Sequence, residues 1–152
     1  MGQQLNEVEP YIMDAFSRKP WVRAAIIIGI VYLIVGIVFA ALANPSVSDH
    51  ARIMRLAAWV ASAAVYAAHI GYERYRLGAS PLVIALHAAV AVALGAFMLA
   101  VAATVHSVTV ESHAPYWRYL LALALWPIVT GLPAFLVALV AVAVLGRLQR
   151  GA

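Results

Sequence analysis

The sequence predicts an all-α integral membrane protein: an antiparallel four-helix transmembrane bundle with both termini on the cytoplasmic side (N-in/C-in). Three observations predict it. Of 152 residues, 66% are hydrophobic and only 11% charged, more apolar surface than a water-soluble fold of this size can cover. The apolar residues fall into four runs, each at least close to the roughly 20 residues that a helix needs to cross a hydrocarbon core. The basic residues gather at alternate ends of those runs.

Residues 1–20 are polar and of mixed charge, with Glu7, Glu9, Asp14, Arg18 and Lys19, and read as a cytoplasmic tail or an interfacial segment. Within them, residues 11–16 have a pattern that suits either one short amphipathic turn at the interface or part of a solvated tail. The first span is expected over residues 21–43. Its end, Ala41-Leu42-Ala43, resembles a signal-peptidase site, but the run is too long and the preceding segment too acidic for a secretory signal, so retention is expected. Residues 1–6 lack the Ser or Thr of a myristoylation signal, and the proline of Asn44-Pro45-Ser46 bars glycosylation there.

A second span is expected over residues 53–72, after a turn that offers Ser48 or Asp49 as helix N-cap. The third, over residues 81–105, follows Gly78-Ala79-Ser80-Pro81, which ends one helix and starts the next with Ser at the N-cap and Pro at the first helical position. The fourth covers residues 116–145. Pro127 and Pro133, with Thr130 and Gly131 between them, predict a kink whose freed carbonyls are met by neighbouring helices or by the Thr130 hydroxyl. The spans make one transmembrane domain, residues 21–148, with no room for a separate soluble catalytic domain.

Orientation follows from the cations beside the spans. Arg18, Lys19, Arg23, Arg74, Arg76, Arg147 and Arg150 lie at one end, against Arg52, Arg55 and Arg118 at the other, which predicts a multi-pass protein of the cell (inner) membrane with both ends inside. Trp21, Trp59, Tyr72, Tyr75, Tyr116 and Trp117 fall near span boundaries, as interfacial aromatics do.

Ionisable residues within hydrocarbon are costly and therefore worth locating first. None of the spans is expected to carry a deep Asp or Glu, which weighs against a carboxylate-coupled transporter and an acidic channel filter. Two histidines remain. His69 stands nine residues before Gly78 and His87 nine after it, so at about 1.5 Å per residue both reach similar depth on adjacent helices. Behind His87, Ala91 and Gly95 repeat at four-residue steps and leave a narrow groove for a helix or a flat ring. Interhelical hydrogen bonding, axial ligation of a b-type haem, and a metal or proton-relay site that includes Glu73 all suit such a pair.

The densest polar cluster is Tyr66, Tyr72, Glu73, Arg74, Tyr75 and Arg76. It reads either as ordinary snorkelling with a Glu–Arg pair or as a docking surface, formed by Tyr72 to Arg76, for a soluble partner or an anionic lipid. His106, Glu111 and His113 share the opposite loop, where a wet loop and a metal-binding loop are both compatible with them. Small residues recur at helical spacing: Ala85, Ala89 and Ala93, then Ala96 and Ala100; Ala57 with Ala61; Ala64 with Ala68. Such rows suit packing within the bundle, oligomerisation or docking to another membrane subunit.

Whole classes of function drop out. With no cysteine there are no disulfides, thiolate metal sites, iron–sulfur clusters or cysteine nucleophiles. Cations spread over flanks and loops do not form the stripe that nucleic acid requires. No nucleophile elbow, phosphate-binding loop or His-Glu-x-x-His helix occurs, so catalysis by the chain alone is not expected. The favoured expectation is a small non-catalytic membrane subunit that anchors or organises a larger complex, with lipid and another subunit or further copies of itself as partners. The alternatives are a b-type haem electron-transfer subunit with His69 and His87 as ligands, and a small oligomeric channel or transporter.

Overall fold

A computed structural model describes residues 20–43, 48–109 and 116–149. It contains four helices: α1 (Pro20–Leu42), α2 (Ser48–Tyr75), α3 (Pro81–Thr109) and α4 (Tyr116–Leu148). Each is long and apolar enough to cross a membrane, and the chain is a multi-pass membrane protein. The links of five, five and six residues between helices reach at most roughly 20 Å. The helices themselves run roughly 34 to 50 Å at about 1.5 Å per residue, so consecutive helices are antiparallel.

The helices outrun the apolar runs that announce them. α2 starts at Ser48 rather than near residue 53 and ends at Tyr75 rather than 72; α3 continues to Thr109 and α4 to Leu148. Hydrophobicity ends where lipid ends, whereas backbone hydrogen bonding continues into the interface. Asp49 accordingly sits in the first turn of α2, where its carboxylate meets the positive end of the helix dipole, and not at the cap. At α3 the expectation holds: the helix opens on Pro81, and the Ile84 amide donates to the Ser80 carbonyl at 3.0 Å. Between α2 and α3, Gly78 takes φ 60°, a left-handed conformation open to glycine, and the Ala79 amide donates back to the Glu73 carbonyl at 3.4 Å.

α4 runs through both prolines as one helix. Thr130 donates to the carbonyls of Trp126 at 2.9 Å and Pro127 at 3.3 Å, one turn before it. These are not the carbonyls of Leu123 and Val129, which are the ones that lose an amide partner to the prolines. The segment 11–16 lies outside the described residues.

α3 is the central helix. It packs most extensively against α4 and next against α1, while α2 lies on α1 and touches α3 more lightly. Small side chains explain the order. Ala85, Ala88 and Ala91 are completely buried, and a Cβ placed on Gly95 would lie 2.7 Å from Tyr32 Cβ and 3.2 Å from the Gly29 carbonyl of α1. Across the other face, a Cβ on Gly131 of α4 would meet Ala93 Cβ at 3.2 Å. Helix backbones in lipid attract one another mainly by such close fit. The α3 alanine row is thus used inside the bundle, whereas Ala64 and Ala68 of α2 face outward. Ile70, Ile84, Ala85, Ala88, Ala138 and Val142 form the core, at the end where α2 turns into α3.

Candidate functional site

That same end holds a buried polar cluster. His69 and Glu73 stand one turn apart on α2, on the face that also carries Ile70 into the core, so both side chains are drawn inward with it. Glu73 is 0% exposed and His69 2%. His87 of α3 enters from the other side with Nδ1 3.0 Å from Glu73 Oε2, and His69 Nε2 lies 3.5 Å from Glu73 Oε1. A carboxylate only accepts hydrogen bonds, so with Glu73 ionised His87 Nδ1 carries the proton and donates it. Trp21 of α1 lies flat on the His87 ring, with centroids 4.4 Å apart and planes 5° from parallel. One carboxylate therefore joins two imidazoles from two helices, and an indole from a third covers one of them.

The cluster is incompletely satisfied. Both nitrogens of His69 and Oε1 of Glu73 have no hydrogen-bond partner among the described residues. Deeper in the bundle the Tyr66 hydroxyl donates to the Ala134 carbonyl of α4, while the buried Tyr32 hydroxyl has no partner among the described residues.

The depth match of His69 and His87 places both on Glu73. That residue, expected in a polar arginine–tyrosine patch near the end of its helix, is fully buried. It is not paired with its neighbour: Arg74 Nη2 donates to Gln149 Oε1 at 2.6 Å and ties α2 to the end of α4. Tyr72, Tyr75 and Arg76 are exposed, so three of the five residues from 72 to 76 remain on the surface. The groove behind His87 is filled by α1, through Gly29 and Tyr32 against Gly95. Since Glu73, rather than an open slot, lies between the imidazoles, the pair does not fit a haem. Among the described residues no group of three His, Cys, Asp or Glu is arranged to hold a metal ion. His106 is exposed at the end of α3; Glu111 and His113 lie outside the described residues.

A groove of about 600 Å³ opens between α1 and α2 beside the cluster, lined by Arg23, Ile27, Ile28, Ala68, His69 and Tyr72 among others. It had no counterpart in the linear pattern, because Arg23 and Tyr72 are far apart in sequence and meet only through the α1–α2 packing.

Compared with known proteins, the chain matches no family model, no curated protein and no solved structure.

Proposed function

We propose that the chain is a small, non-catalytic subunit of the cell (inner) membrane, with both ends cytoplasmic, that carries a proton-binding centre made of His69, Glu73 and His87. The observation that supports this reading is the fully buried Glu73 held between two imidazoles. Ionisable groups are expensive in apolar surroundings and there tend to have functional roles. Imidazole is the side chain whose ordinary titration falls near neutral pH. With one mobile proton the trio is neutral overall: a carboxylate, one imidazolium and one imidazole. Losing that proton, or gaining a second, leaves a net charge within tight packing, so proton exchange is coupled to how α2 sits against α3 and α1. The outward-facing Ala64 favours a further helix as the partner that senses this change.

The test uses Trp21 as a reporter. Protonation of His87 puts a cation on the indole face and alters its emission. Titrated in nanodiscs from about pH 5 to about pH 8, the window in which imidazoles change charge, the protein is expected to show a transition in Trp emission together with a change in the carboxyl infrared band. Trp21→Phe should remove the first signal and Glu73→Gln the second. A folded protein in which neither signal moves across the window would make the cluster purely structural.

A further inference from the structure

We infer that the groove between α1 and α2 is a binding site for an anionic phospholipid, with the headgroup at Arg23 and Tyr72, its phosphate reaching His69, and an acyl chain along Ile27 and Ile28. The first ground is the polarity gradient along its walls. α1 runs into the membrane from Pro20, so Arg23 stands at the mouth and Ile27 and Ile28 follow one turn deeper on the same face. α2 runs the other way, so Tyr72 is at the mouth and Ala68 one turn deeper. The α1 wall therefore changes from polar to apolar with depth, and on α2 the tyrosine at the mouth is followed one turn deeper by His69 beside Ala68, a pattern that suits an amphiphile standing in a bilayer leaflet. A volume of about 600 Å³ is in the range of small-molecule sites, and this one is open toward lipid.

The second ground is His69. It lines the groove at 2% exposure; its Nε2 faces Glu73 Oε1 at 3.5 Å, whereas its Nδ1 has no hydrogen-bond partner among the described residues. Buried polar atoms without partners are few in folded proteins and call for a group that supplies one. A phosphate oxygen accepts from an imidazole N–H. The third ground is charge. At this end of the bundle the described cations are Arg23, Arg74, Arg76 and Arg147, and the Arg23 guanidinium stands on the wall of the groove itself. The inference does not depend on proton exchange at Glu73.

The absence of cysteine makes the test clean, because Ile27→Cys supplies a single thiol at an exposed groove position. The full-length variant carries a thiol-linked benzophenone, is reconstituted in vesicles of mixed phosphatidylglycerol and phosphatidylcholine, and is photolysed; intact mass then identifies the adduct. Phosphatidylglycerol adducts should exceed their mole fraction at least about fivefold, as expected when one or more basic residues each contribute about 1 kcal/mol. The same label on Val60→Cys, which faces lipid, should follow the mole fraction. Arg23→Gln and Tyr72→Phe should each lower the enrichment at position 27. Adducts at position 27 that follow the mole fraction would overturn the inference. So would a cross-link to residues 1–19 of the same chain or to a second copy, since either identifies a different occupant.

Discussion

Cutting the link between His87 and Glu73 tests whether the buried cluster is an energetic unit. In His87→Ala, Glu73 loses its 3.0 Å partner and keeps only His69 at 3.5 Å, at a position with no access to water. Breaking a buried pair from one side costs about 3–5 kcal/mol, because the remaining charge is left uncompensated. Loss of the Trp21 stack adds about 0.5–1.5 kcal/mol, a share that Trp21→Ala measures separately. Glu73→Gln keeps the volume and a hydrogen-bonding amide while removing the charge, and should cost about 1–2 kcal/mol. Once Gln stands at 73, deleting His87 strands no charge, so the double variant should be more stable than the sum of the singles by about 2–3 kcal/mol. Reversible unfolding of the purified protein in mixed micelles, followed by tryptophan fluorescence, gives all four corners of the cycle. Single costs below about 1 kcal/mol that add within about 0.5 kcal/mol would show three side chains that are merely close.

Four further outcomes follow from the packing and the orientation. Gly95→Ala should destabilise by about 1–3 kcal/mol in the same assay, because its new Cβ meets Tyr32 Cβ at 2.7 Å. Gly71→Ala, with nothing within 4 Å, should instead gain about 0.5–1 kcal/mol from helix propensity. Tyr66→Phe removes the interhelical bond to Ala134 and should cost about 0.6 kcal/mol, the typical value between membrane helices; a loss above about 2 kcal/mol would mean that the hydroxyl supports more than that carbonyl. In inside-out vesicles, a membrane-impermeant maleimide should label Arg76→Cys and spare Trp117→Cys, and the reverse pattern would invert the orientation.

The spans were readable because lipid imposes a one-dimensional rule: enough consecutive apolar residues must be present, and the sequence carries that count directly. What surrounds Glu73 is not one-dimensional. Its neighbours Tyr72, Arg74, Tyr75 and Arg76 suggested a wet patch, but each helical step turns about 100°, so Glu73 shares its direction with His69 and Ile70 and not with Tyr75. Attention to Ile70, one position after a histidine and three before the carboxylate, would have flagged an inward face. Counting residues from Gly78 was enough to match His69 and His87 in depth, since depth is also one-dimensional. It could not show that a carboxylate stands between them, because that depends on how α2 is rotated. The alanine row of α3 was equally visible, while its partners, Tyr32 and Gly29 on one side and Gly131 on the other, depend on α3 taking the central place.

The origin of Glu73's partner on α3 also bears on how the chain enters the membrane. A ribosome delivers α1 and α2 before His87 has been made, so at that stage the carboxylate has only His69 beside it, on the least apolar of the four helices. Glu73 on α2 gains its second imidazole only when α3 arrives. Assembly of the cluster therefore follows chain order: the third segment completes the second, and a nascent chain halted before residue 87 holds Glu73 with one of its two imidazoles.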